Sequence, residues 1–145
     1  MPLNNPWGET VREIVLKTAD QTVNDSIVKV NDTHLKLAVG FNQVWIARLI
    51  LLLNSTTVAD WEAVFVVPAG TTGYWKLGTE VNSGRTLVTA VPVSTTGVIA
   101  QTIFELLIMT GGTAGDVQLT WAQKVAEATD TKVLENSCIL AWQIN

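Results

Sequence analysis

The residues of this 145-residue chain that could do chemistry are few and far apart. His34 is the single histidine and Cys138 the single cysteine, so neither a zinc site nor a nucleophile–base pair assembles from the usual groups. Cys138 lies in the apolar stretch Ser137-Cys138-Ile139-Leu140-Ala141-Trp142, where it reads as a small buried hydrophobe with no partner for an internal disulfide. Asp60 and Glu62 stand two apart in an alternating stretch, which sets both carboxyls on one strand face about 6–7 Å apart. Glycosidases place carboxylate pairs at spacings of that size, yet the same pattern is the solvated side of any amphipathic strand. Gly70, Gly73, Gly78, Gly84 and Gly97 form neither GxGxxG nor a P-loop. The expectation is no enzyme, no cofactor and no metal.

Composition points toward association instead. Apolar residues make up 48% of the chain and charged residues 15%, against a usual charged share of about 25%. Six tryptophans add bulk that one small core has difficulty absorbing, which predicts that copies of the chain cover one another. The alternative is a monomer whose surface is polar through Thr, Ser and Asn. Net charge is −4 with scattered cations, so no basic patch is set up for nucleic acid. The longest apolar run, residues 44–53, contains Arg48 and falls well short of the ~20 residues that cross a bilayer. The opening MPLNNPWGET has neither a basic nor an apolar leader segment, so no signal peptide is expected and synthesis is placed in the cytoplasm.

The elements that position these residues read as strands. Residues 1–10 carry Pro2, Pro6 and Gly8 and predict an extended arm, followed by one domain over residues 11–145. Trp7 either folds back on its own domain or anchors the arm on a neighbour. Residues 11–18 alternate as an edge strand guarded by charges. Residues 24–30 and 31–37 echo each other as Asn-Asp turns followed by apolar–Lys–apolar triplets, which predicts two successive strands. Residues 41–53 are apolar on both faces, as in a covered central strand, with a short helix as the competing reading. Residues 60–67 alternate, 86–91 are expected to pair with 96–109 across a bend at Pro92, and 132–144 form a last strand. Residues 101–123 carry two β-favouring runs around the Gly-rich break Thr110-Gly111-Gly112-Thr113-Ala114-Gly115-Asp116, the signal for a hairpin. Short strands separated by Gly, Asn and Thr turns predict an all-β, jelly-roll-like antiparallel β-sandwich.

Three motifs carry a resemblance over roughly residues 22–145. They are the Asn31-Asp32-Thr33 turn with Leu35; Pro68, Gly70, Thr72, Gly73 and Trp75; and Gly112-Thr113-Ala114-Gly115 with Leu119, Trp121, Ala122 and Gln123. Ala128, Thr129, Thr131 and Val133 follow. In these the chain resembles small virion structural proteins of tailed bacteriophages, of capsid decoration (cement) or fibre-head type. The resemblance implies a jelly-roll-like sandwich, often a homotrimer, on the virion surface. A decoration protein has the major capsid protein as partner, with arm and edge contacts expected at Leu3, Trp7, Val11 and Ile14. A fibre head binds receptor or glycan instead, with Tyr74, Trp75 and Arg85 as the stacking and polar candidates. The arm itself lies outside the resemblance.

Overall fold

The computed structural model describes residues 12–79 and 84–145. Twelve strands and no helix occur among them: β1 (Arg12–Leu16), β2 (Gln21–Val23), β3 (Val30–Val39), β4 (Val44–Asn54), β5 (Trp61–Val66), β6 (Thr72–Leu77), β7 (Arg85–Thr86), β8 (Val91–Val93), β9 (Ala100–Met109), β10 (Gly115–Gln123), β11 (Thr131–Val133) and β12 (Cys138–Gln143). They form two antiparallel sheets packed as a β-sandwich. The larger runs β1-β12-β4-β9-β6-β7, with β11 and β2 attached beside β4; the smaller runs β3-β10-β5-β8.

The run at 41–53 resolves as β4, eleven residues long and central, paired on one side with β12 and on the other with β9 over ten residues from Val44↔Met109 to Leu53↔Ala100. Its alternate residues Trp45, Ala47, Leu49, Leu51 and Leu53 are buried between the sheets. Leu35, Leu37, Trp61, Phe65, Leu119 and Trp121 meet them from the small sheet. Aromatic rings stitch the two layers together. Trp75 of the large sheet lies 5.0 Å from Phe65 of the small one at 75°, and Trp61 of the small sheet lies 6.0 Å from Phe104 of the large one. Edge and tilted contacts of this kind suit the ring quadrupoles. The core thus absorbs Trp45, Trp61, Trp75 and Trp121, four of the five tryptophans described. Tryptophan count was therefore a poor measure of surplus apolar surface.

Several expected pairings are corrected. β9 and β10 are not a hairpin: β9 pairs with β4 and β6 in the large sheet, and β10 with β3 and β5 in the small one. The loop between them crosses from sheet to sheet, held by Thr110 N donating to Gln43 O and Asn42 N to Gly111 O, each at 2.8 Å. Residues 86–91 do not pair with β9; β7 adds to β6, and β8 to β5. Residues 24–29 form a loop, so the Asn-Asp echo yields only β3. The last run splits into β11 and β12 around Asn136, whose φ of 67° turns the chain in a left-handed conformation Asn tolerates. Asp60 likewise has φ 50° and stands outside β5, so it does not share a face with Glu62. Asp60 Oδ1 accepts from Thr95 N at 2.9 Å, whereas Glu62 pairs with Lys29 at 2.5 Å.

Candidate interaction face

Alternation in the large sheet sends half of its side chains inward and half out. Register sets the outward ones in rows across β1-β12-β4-β9-β6. One row is Arg12, Trp142, Ile46, Leu107, Tyr74; the next is Ile14, Leu140, Arg48, Glu105, Lys76. Leu16, Cys138, Ile50 and Ile103 make a third. Ile14 is 73% exposed, Tyr74 54%, Leu16 50% and Ile46 48%, with Ile103 and Leu107 above a third. Charge on this face falls at its margins, at Arg12 and at Lys132 of β11, and in one ladder across its middle row, in which Glu105 lies 3.9 Å from Arg48 and 3.6 Å from Lys76. Beside the ladder Ile46, Tyr74 and Leu107 line a hollow of about 360 Å³.

The outer face of the small sheet differs. Its outward positions carry the Lys36–Asp116 pair at 3.1 Å, the Lys29–Glu62 pair, Gln118 and Thr120, with Val66 exposed next to half-buried Val64, and Ala38 and Pro92 as separate small apolar positions. Scattered single apolar residues are normal on a soluble surface, whereas a contiguous apolar face marks an interaction surface. The large sheet has such a face and the small sheet does not.

A second constellation had not been expected from sequence. Lys17, wholly buried just beyond the end of β1, puts Nζ 3.0 Å from both carboxylate oxygens of Asp32. Asp32 Oδ1 also accepts from the amides of His34 and Leu35 at 2.9 Å, and Oδ2 from the Trp121 indole at 3.0 Å. Gln21 and Gln118 tie the same stretch of β3 through Asn31 O, Thr33 N and Asp32 O. His34 stands between the hydroxyls of Thr18 and Thr33. Every polar atom of the Asp32 carboxylate is thus engaged from within the chain, and the cluster closes the seam where β1 of one sheet passes β3 of the other. Lys17 shares the inward phase of Val15, which was the available signal; its charge concealed it as an edge guard.

Of the residues singled out for contact, Leu3, Trp7 and Val11 lie outside the described residues, and Ile14 is on the apolar face. The glycan set does not come together. Trp75 is 1% exposed, its ring packed on Phe65 and Phe104 and its Nε1 donating to Thr89 O at 3.3 Å, so it offers no free face to a sugar. Tyr74, the residue before it, points to the opposite side. Arg85 is half-buried and donates to Ala90 O at 3.4 Å. Cys138 is half-buried at the outer face, and desolvation raises its thiol above the ordinary value. Among the described residues no group of His, Cys, Asp and Glu is arranged to hold a metal, and no helix is long and apolar enough to cross a membrane.

No family model matches the chain, and no curated protein matches it. Solved structures give loose overlaps only. Infectious bursal disease virus, Gx strain, overlaps with TM-score 0.32 at 11% identity, over 93% of this chain and 40% of that chain. The VP2 subviral particle of the same virus gives 0.30 at 13%, over 94% and 42%. The Gt strain gives 0.27 at 12%, over 94% and 37%. The chain thus spans about two fifths of the chains it overlaps, and likenesses this loose carry no argument.

Proposed function

We propose that this protein is a virion structural component of a tailed bacteriophage, a capsid decoration protein that binds the outside of the head and stabilises it. The observation that supports the reading is the apolar outer face of the large sheet, which suits a protein whose work is assembly, with copies of itself and with a shell, rather than chemistry. The motifs at residues 31–35, 68–75 and 112–123 supply the phage setting. A jelly roll is the finer fold reading. It is supported by the interleaved strand orders β1-β12-β4-β9 and β3-β10-β5-β8, the nesting of a chain folded double and wrapped into two sheets, with β6 and β7 as an insertion. Work of this kind is binding alone: apolar area removed from water on assembly, at about 25 cal/mol per Å², holds the shell's seams.

Mixing the purified chain with empty heads of the encoding phage that lack it tests the reading. Co-sedimentation with the heads and a raised temperature of head disruption are expected. Heads that neither retain the protein nor gain heat resistance refute it.

A further inference from the structure

We infer that the partner covering the outer face of the large sheet is a second copy of this chain, packed face to face. The inference rests on the reading of that face as an interface and adds who occupies it and in what register.

Size comes first. Five strands about 4.8 Å apart, the central ones about 30 Å long, present a face of about 600–700 Å². A specific interface covers roughly 600–1,000 Å² of each partner, so one further copy is enough to fill it.

Charge and shape then choose the occupant. The face is complementary to itself about a two-fold axis that runs along the strands between β4 and β9. Register places Arg48 beside Glu105, Ile46 beside Leu107 and Ile50 beside Ile103. Turning a copy over about that axis lays its Arg48 on the Glu105 of the first, and its Glu105 on the first copy's Arg48. The same turn lays Ile46 on Leu107, Ile50 on Ile103 and Trp142 on Tyr74, allowing for the roughly 30° twist between stacked sheets. The central cations and carboxylates thus alternate across the interface; the same turn lays Leu140 on Lys76, whose ammonium stays on Glu105 at 3.6 Å, and the rows on either side are apolar. The Ile46–Tyr74–Leu107 hollow receives apolar side chains from the same rows of the other copy. An isologous contact of this kind closes on itself and leaves the polar face of the small sheet outermost.

The full chain, weighed by light scattering at micromolar concentration, is expected to give twice the 15.7 kDa of one chain, and a three-chain mass would overturn the two-fold contact. Ile46→Asp or Leu107→Asp should reduce the mass to a single chain, while Val66→Asp on the small sheet leaves it unchanged. An outward aspartate could also unfold the chain, so a cross-link supplies an independent readout. Chains carrying Cys138→Ser with Ile46→Cys are mixed with chains carrying Cys138→Ser with Leu107→Cys and oxidised. Covalent pairs are expected in the mixture and not in either variant alone. A single-chain mass for the unaltered protein overturns the inference, as does unchanged mass in a folded Ile46→Asp variant or a mixture that fails to cross-link. A single-chain protein that still binds heads overturns this inference and leaves the decoration reading standing. An assembled protein that ignores heads does the reverse.

Discussion

The ammonium of Lys17 sits 3.0 Å from both carboxylate oxygens of Asp32, with neither side chain reached by solvent. Removing one partner of a buried pair leaves the other charged and uncompensated, a loss of about 3–5 kcal/mol. Lys17→Met is therefore expected to lower the unfolding free energy measured by urea titration by an amount in that range. Asp32→Ala should cost more, because the His34 and Leu35 amides and the Trp121 indole lose their acceptor as well. A Lys17→Met variant within about 1 kcal/mol of the parent contradicts the account.

Three glycines are expected to rank in their intolerance of alanine. At Gly73, φ is +150° and an added Cβ would stand 2.1 Å from the Leu107 carbonyl oxygen, a clash with sheet backbone that cannot yield. Gly73→Ala should lose several kcal/mol or fail to fold. Gly97 has φ +79° and open space, so alanine there costs about 1–2 kcal/mol of backbone strain alone. Gly112 has neither obstacle, and its alanine variant should unfold within about 0.5 kcal/mol of the parent. Denaturant titration of the three checks the order.

Adjacent residues Tyr74 and Trp75 should part company. Trp75→Ala empties the aromatic contact between the sheets and is expected to cost about 3–5 kcal/mol. Tyr74→Ala removes an outward side chain and should leave unfolding within about 1 kcal/mol of the parent while weakening self-association. Equal losses of stability would contradict the assignment of the two faces.

Cys138 should resist alkylation at neutral pH. Burial raises its thiol above 9.0, so the thiolate that reacts is scarcer in the folded chain than in the unfolded one. The sign for stability follows: no penalty below pH 9, then a loss as pH climbs toward the raised value and the unfolded thiol ionises first. Iodoacetamide labelling against pH, folded and in urea, measures both. Equal rates at pH 8 would show that the site is not desolvated.

Much of the fold was legible because strand alternation is a local property. The inward phase of Trp61, Ala63 and Phe65 and the central place of the run now seen as β4 follow from which neighbours are apolar, whereas β12 buries Ile139 and Ala141 and turns the bulkier Leu140 and Trp142 outward, which apolarity alone does not tell. Alternation tells a side chain which face it takes. It does not tell a strand which sheet it joins. The break at residues 110–116 therefore looks the same whether β10 folds back on β9 or crosses to β3 and β5, and the choice was made by contacts with residues 42–43 far away in sequence. The same holds for the two features of most consequence. Lys17 is one lysine among several until β3 brings Asp32 to it across fifteen residues. The apolar face exists only once β1, β12, β4, β9 and β6 lie side by side, because no single strand carries enough of it to be seen. Sequence settled the long strands and the all-β class, which depend on near neighbours; tertiary structure decided strand ends, pairing, seam and surface, which depend on groups that only the folded chain makes adjacent.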